Sequence, residues 1–146
     1  MKEDFSVKRV AVLCLLLLCW AVGCEAKEVD CGFFTADLPS GWTSQKKSPA
    51  VILVAPDKDT ILTVAKAPTE GHSVKEIAEA SCKEMKGRDF EDLGDDCYDY
   101  VATVDERDLY VQIYPVDDEG RECAVITIWG AQGETVSAIF DSIQMK

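Results

Sequence analysis

Residues 49–68 read PAVILVAPDKDTILTVAKAP, and this stretch decides the fold. Two runs rich in Val, Ile, Leu and Ala flank the polar segment Asp57-Lys58-Asp59, which is the pattern of two strands joined by a tight connection. Both runs are almost wholly apolar, as expected of strands that are covered on both faces. The stretch therefore predicts a buried β-hairpin.

A helix is predicted directly after the hairpin. Ser73-Val74-Lys75-Glu76 forms a capping box, in which the serine oxygen and the glutamate carboxylate satisfy backbone amides at a helix start. The residues that then recur on one face at helical spacing are Val74, Ile77, Ala78, Ser81 and Met85. Gly87 ends the predicted helix.

The remaining elements are strands and one closing helix. The segment FFTADLPSGW, residues 33–42, predicts a strand closed by a turn. After a loop at 91–96, further strands are predicted at 98–104, 109–116 and 123–129. The stripe of the closing helix consists of Val136, Ile139, Phe140 and Ile143. This order predicts an α+β fold, an antiparallel β-sheet of about six strands with helices packed on it.

The N-terminus has the pattern of a cleaved signal peptide. Residues 10–23, VAVLCLLLLCWAVG, carry no charge and follow a modestly basic opening. This run is shorter than the roughly 20 residues that a membrane-spanning helix needs. Residues 1–23 are therefore predicted to be a secretory signal.

Cys24 is the predicted attachment point of a lipid anchor. Ala21-Val22-Gly23-Cys24 resembles the bacterial lipobox, which implies cleavage between Gly23 and Cys24 and acylation of the new N-terminal cysteine. The resemblance departs at Ala21, where that family usually has Leu. The same bond also fits an ordinary signal-peptidase site, which would leave a secreted protein with a free Cys24.

The cysteine count favours the anchor. Without the signal, five cysteines remain, and an odd number in an exported protein requires an explanation. Acylation of Cys24 leaves Cys31, Cys82, Cys97 and Cys123. These four are expected to form disulfides in an oxidising compartment, with three pairings left open. Their spacings match no zinc motif, so no metal or other cofactor is predicted.

The mature chain is predicted to be one acidic domain on a tether. Residues 24–32 form a short polar tether, and residues 33–146 form a single domain. Loss of residues 1–23, with three basic and two acidic side chains, changes the formal charge from −12 to −13. Such acidity argues against nucleic acid as a partner, because phosphates require Lys and Arg.

One local motif supports a family resemblance. The pattern F-x-x-x-L-P-x-G-W runs from Phe34 to Trp42, and the last predicted strand ends at Trp129-Gly130. With the order of elements, this resembles the DcrB-like lipoproteins of bacterial envelopes, which share a fold with PsbP proteins. The resemblance implies an antiparallel sheet between helices and a binding or assembly role at a membrane. It implies no catalytic residue.

Catalytic chemistry is not predicted. His72 is the single histidine, it precedes the helix cap, and it is expected to be a surface loop residue. A catalytic histidine needs a nucleophile and an orienting group, and the serines lie in no nucleophile-elbow motif. An envelope hydrolase built on His72 is therefore the least favoured hypothesis, and the protein is not expected to be an enzyme.

The acidic turns offer an alternative function. Carboxylates collect in connections, among them Asp57 and Asp59 in one turn and Asp117, Asp118 and Glu119 in another. If two such turns share one end of the sheet, their oxygens can hold a divalent cation such as calcium. The competing interpretation is that these are solvated turns of an acidic protein, since no calcium-loop motif is present.

Tyrosines alternate along two predicted strands. Tyr98 and Tyr100 share one face of their strand, as do Tyr110 and Tyr114. Such rows can line a groove, but packing of the core under a helix is the favoured interpretation. Trp42 is expected to wedge one end of the core.

The leading hypothesis is a bacterial cell-envelope lipoprotein that faces the periplasm or the exterior. It is held at the membrane by Cys24, and its domain binds an envelope protein partner or assists assembly. Glu25 is not the aspartate that resembles an inner-membrane retention signal in some bacteria, which favours an outer membrane only in an organism that has one. The alternative is a protein that binds a small ligand or calcium through the acidic loops.

Overall fold

The computed structural model describes residues 26–130 and 132–146, which form ten strands and two helices. In chain order they are β1 (Ala26–Asp30), β2 (Phe34–Pro39), β3 (Thr43–Lys47), β4 (Ala50–Val54), β5 (Ile61–Pro68), α1 (Val74–Glu84), β6 (Arg88–Gly94), β7 (Cys97–Val104), β8 (Arg107–Pro115), β9 (Glu122–Trp129), α2 (Glu134–Ser142) and β10 (Gln144–Met145). The α+β class is as predicted.

The larger sheet has seven antiparallel strands in the order β3-β4-β5-β9-β8-β7-β6. The predicted hairpin is β4–β5, with Val51 opposite Val64, and it leads to β9, where Val64 lies opposite Ile126. The expectation of about six strands was wrong because both edge strands lack an apolar pattern. β3 is the wholly exposed TSQKK, and β6 includes part of the loop predicted at 91–96. Polar edge strands protect a sheet from pairing with other chains.

A second sheet has three strands, in the order β1-β2-β10. β1 comes from the segment expected to be a tether, and it pairs with β2 from Ala26 opposite Pro39 to Asp30 opposite Thr35. β10 pairs on the other side of β2 through Met145 and Phe34. The described part of that segment is thus an ordered strand of the domain.

Two apolar clusters lie on opposite faces of the seven-stranded sheet. The first joins the sheet to β2 and α2 and contains Phe34, Leu53, Leu62, Ile128 and Ile139 among its members. The second lies under α1 and contains Val74, Ala78, Tyr100, Ile113 and Cys123 among its members. Alternation of side chains along each strand separates the two clusters.

The central hairpin is covered less completely than its sequence suggests. Val51 and Leu62 are buried in the first cluster, as the alternation requires. On the other face Ile52, Val54 and Ile61 are only half-buried. The reason is that α1 packs on β7 and β8, away from the hairpin.

Both predicted helices are present. The capping box forms at α1, where the Glu76 backbone N–H donates to Ser73 Oγ at 3.1 Å. α2 ends one residue before the predicted stripe does, because Ile143 adopts an extended backbone that leads into β10. Neither helix in the described part is long and apolar enough to span a bilayer.

Candidate functional site

The predicted cleavage and anchor residues, Gly23 and Cys24, lie outside the described residues. The nearest described residue is Ala26, which begins β1.

The four other cysteines carry free thiols, and no disulfide joins any described residues. The expected bridges are therefore not shown in the described residues, and for the Cys31–Cys123 pairing the sheet provides a physical reason. Cys31 belongs to the first cluster and Cys123 to the second, on the opposite face. Cysteines whose Cβ atoms point apart cannot be bridged without backbone movement. Burial raises the pKa of the Cys31, Cys97 and Cys123 thiols, so they are protonated at neutral pH.

The two acidic turns do not share an end of the sheet. Asp57 and Asp59 precede Ile61 at the start of β5, whereas the turn at 117–119 leads to Glu122, opposite Pro68 at the end of β5. A strand of 8 residues separates these positions by about 25 Å. The structure therefore contradicts a calcium site built from both turns.

Two of the three acidic residues of the second turn, Asp117 and Glu119, have partners within the protein. Asp117 Oδ1 accepts from the Arg121 backbone N–H at 2.9 Å, and Glu119 Oε2 lies 2.9 Å from Arg121 Nε. Asp57 Oδ1 caps its own turn by accepting from the Asp59 N–H at 2.9 Å. Across residues 26–130 and 132–146, no three His, Cys, Asp or Glu side chains are grouped to hold a metal ion.

His72 lies on the surface beside the helix cap. Its Nδ1 is 3.4 Å from Glu76 Oε2, and two thirds of its side chain is exposed. The same Glu76 carboxylate accepts from Ser73 Oγ, and the hydrogen bond with His72 is the largest cause of its lowered pKa. This arrangement completes the N-terminal cap of α1.

The tyrosine rows are core residues on opposite faces of the larger sheet. Tyr98 and Tyr100 are buried under α1, and the Tyr100 hydroxyl lies 2.5 Å from Ser81 Oγ. Tyr110 and Tyr114 pack against the first cluster, where the Tyr110 hydroxyl donates to Asp99 Oδ2 at 2.8 Å. Burial is the main cause of the raised pKa of Tyr110.

A cavity with a volume of about 690 Å³ lies between the small sheet and α2. Its first wall is formed by β1, β2 and the turn that follows, through Ala26, Asp37, Pro39, Ser40 and Trp42. Its second wall is one face of α2, through Glu134, Thr135, Ala138 and Ile139. We call this space the turn cavity. Its size is within the range of small-molecule and side-chain binding sites.

Hydrogen bonds fix the positions of both walls of the turn cavity. The Trp42 N–H donates to the Pro39 carbonyl at 3.3 Å, which closes the predicted turn. Ser142 Oγ accepts from the Asp37 N–H at 2.8 Å and donates to the Ile139 carbonyl at 2.6 Å, so it ties the end of α2 to β2. The cavity is thus a feature of the packed fold.

The turn cavity is acidic and aromatic. Asp37 and Glu134 contribute carboxylates, and neither forms an ion pair with another described residue. Trp42 packs on the first cluster and also lines a neighbouring cavity of about 370 Å³ with Lys27. Such a surface suits a cationic group with an apolar stem.

Sequence reasoning identified Trp42 but missed the two carboxylates. Asp37 lies within the segment 33–42 that is predicted to be a strand, and no pattern in the sequence singles out Glu134. No local signal links them, since it is the packing of α2 on β2 that brings them to one cavity.

The fold is found in solved structures. The chain is similar to the Ran-binding protein Mog1p of Saccharomyces cerevisiae, with a TM-score of 0.59 and 10% identity, over 83% of this chain and 95% of that one. It is also similar to a structure from Bacteroides thetaiotaomicron, with a TM-score of 0.50 and 9% identity, over 84% of this chain. The match covers 48% of that second protein, so this chain spans about half of its length.

These similarities concern the fold alone. Mog1p shares its fold with PsbP-like proteins, so the fold part of the predicted resemblance is supported. No family model and no curated protein matches the sequence. The likeness to the DcrB-like lipoproteins accordingly remains a proposal.

Proposed function

We propose that the protein is a bacterial cell-envelope lipoprotein related to the DcrB-like group, and that its domain is a non-enzymatic binding module. Residues 1–23 act as its signal, and Cys24 carries the lipid. The domain faces the periplasm or the exterior, and the turn cavity is the surface that receives an envelope protein.

The observation that supports this proposal is that the turn cavity includes the first residue of β1, which closely follows the proposed anchor Cys24 in the sequence. Ala26 lines the cavity and stands two residues after Cys24. Two residues span at most about 7 Å, so an acylated Cys24 would hold this end of the domain at the bilayer surface. A partner at that surface would meet the indole of Trp42 and the carboxylates of Asp37 and Glu134, which form no ion pair with any other residue that the structure describes.

The chemistry of the cavity indicates the partner's contact group. A Lys or Arg side chain can place its alkyl stem on Trp42 and its cationic head between the carboxylates. Proteins at the membrane surface commonly carry such residues near their membrane segments. We therefore propose a membrane-associated protein that presents a basic side chain.

The anchor is tested by fractionating the native host and measuring the intact mass. The expected result is a membrane-bound chain that begins at Cys24 and carries acyl chains, with the Cys24→Ser variant in the soluble fraction. An unacylated wild-type chain in the soluble fraction would refute the anchor.

The binding surface is tested by site-specific photocrosslinking in intact cells. A photoreactive residue at Thr135, on the cavity rim, is expected to give a discrete crosslinked product. The same residue at Glu79, exposed on α1, serves as the control position and is expected to give none.

A charge reversal tests the recognition chemistry. Glu134→Lys should abolish the Thr135 product, whereas Asp141→Lys, on the same helix but outside the cavity, should leave it unchanged. Equal products from both positions, or equal effects of both reversals, would show that the turn cavity is not the binding surface.

A further inference from the structure

A second cavity has the opposite electrostatic character. It has a volume of about 390 Å³ and lies where the β1–β2 connection meets the start of β4 and the end of β5. Its walls include Cys31, Phe33, Pro49 and Val51, together with Lys46 and Lys66. We call it the lysine cavity.

The sheet register places both lysines on the cavity side. Lys46 lies opposite Val51, and Val51 lies opposite Val64, which precedes Lys66 by two positions on the same strand face. Lys47 lies opposite Ala50, and its side chain therefore points to the other face of the sheet. Lys46 and Lys47, although adjacent in β3, therefore face opposite sides of the sheet.

Both ammonium groups have capacity for an anion. Lys46 has no carboxylate within 4.0 Å among residues 26–130 and 132–146. Lys66 Nζ is 3.6 Å from Glu122 Oε2, which is too long for a good hydrogen bond, and lies 5.8 Å from the centre of the Phe33 ring. In a chain of formal charge −12, this pair of cations in one cavity is a local exception.

The floor of the cavity is apolar and uncharged. Val51 is 3% exposed and Cys31 is 2% exposed. Burial is the largest cause of the raised pKa of the Cys31 thiol; the ammonium group of Lys46 opposes that rise, the Asp30 carboxylate adds to it, and the Lys146 ammonium group opposes it. The neutral thiol adds a polarisable wall and does not repel an anion.

We propose that the lysine cavity binds a small organic monocarboxylate with an apolar body. The carboxylate lies between the ammonium groups of Lys46 and Lys66. The body packs against Phe33, Pro49 and Val51. An acetate ion lacks the apolar part and an amide lacks the charge, so each loses one half of the recognition.

The experiment uses 4-phenylbutyrate as the probe and calorimetric titration as the measurement. The protein is purified from its native host in its processed form. If it carries acyl chains, it is held in lipid nanodiscs and the signal of empty nanodiscs is subtracted. We expect saturable binding at one site, and weaker binding as salt is raised, because ions screen the contact.

Matched variants locate the site. The double variant Lys46→Gln with Lys66→Gln should weaken binding by about tenfold or more, the effect of losing about 1.4 kcal/mol. Lys47→Gln, the neighbour on the other face, should change it by less than about twofold, as an exposed charge outside the cavity does. Circular dichroism of each variant checks that the fold is unchanged.

Two ligand controls test the chemistry. 4-Phenylbutyramide and acetate should each bind at least about tenfold more weakly than 4-phenylbutyrate. The proposal is overturned if the probe does not bind, if the amide binds as well as the acid, or if Lys47→Gln weakens binding as much as the double variant. None of these results bears on the turn cavity or on Cys24.

Discussion

Gly41 shows how one residue closes the turn beside the proposed binding surface. Its φ is +89°, and a Cβ built on it would lie 2.7 Å from Pro56 Cγ. Any side chain at this position therefore meets both backbone strain and a steric overlap. The turn of Leu38-Pro39-Ser40-Gly41-Trp42 depends on this glycine for its shape and for its contact with the β4–β5 connection.

We expect Gly41→Ala to lower the free energy of unfolding by about 2 kcal/mol or more, because strain and overlap add. Gly71→Ala is the matched control, since Gly71 also has a positive φ but open space around it. It should cost only the strain, about 1 kcal/mol. Urea denaturation measures the free energy of unfolding of both variants. Equal losses of stability in the two variants would contradict the role of the Pro56 contact.

Asp30 and Lys146 form an ion pair that joins β1 to the residue after β10. Lys146 Nζ donates to Asp30 Oδ1 at 2.7 Å, and this hydrogen bond is the main cause of the lowered pKa of Asp30. A carboxyl whose pKa is lowered in the folded state stabilises the fold at pH values above its ordinary pKa. That contribution is lost as the pH falls through the lowered value.

We expect Lys146→Gln to raise the pKa of Asp30 toward its ordinary value in an NMR titration. Glu76 is an internal control, because its lowered pKa depends first on His72 and then on Ser73. An unchanged Asp30 titration would mean that the ion pair does not form in solution.

At the scale of elements, α1 depends on its cap. Ser73 Oγ is the side-chain acceptor at the helix start, and only Val74 and Ala78 of the helix are fully buried. Ser73→Ala should cost about 1 kcal/mol of stability, as expected for the loss of a cap. Ser73→Asp should cost much less stability, because aspartate also caps helices. Thermal unfolding measures both variants, and similar losses in the two would argue against the role of the cap.

The two edge strands of the larger sheet, β3 and β6, were not predicted from the sequence. β3 is wholly exposed, and β6 has two register shifts along its pairing with β7. Strand propensity reflects packing against neighbours rather than an intrinsic backbone preference. Edge strands with few packed neighbours therefore leave little trace in the sequence.

At the scale of the whole molecule, the sheet separates Cys31 from Cys123, which composition alone allows as partners. The free thiols of Cys31, Cys82, Cys97 and Cys123 predict that the intact mass does not increase on reduction. Denaturation without reductant should then allow an alkylating reagent to modify all four. A gain of hydrogen mass on reduction would show that the chain forms bridges after all.

The sequence by itself determined the elements with strong local signals. The β4–β5 hairpin follows from its apolar runs and polar turn, α1 from its capping box, and β7 to β9 from runs rich in β-branched and aromatic residues. Each of these signals depends on residues a few positions apart, which is the range over which backbone geometry is decided. The α+β class follows from their order.

Only the tertiary structure decided which distant residues meet. It placed Asp57 and Asp117 at opposite ends of β5, and Cys31 and Cys123 on opposite faces of the sheet. It brought Asp37 to Glu134 in the turn cavity, and Lys46 to Lys66 in the lysine cavity. The physical reason is that strand register and helix packing depend on the whole apolar core, so no short segment specifies them.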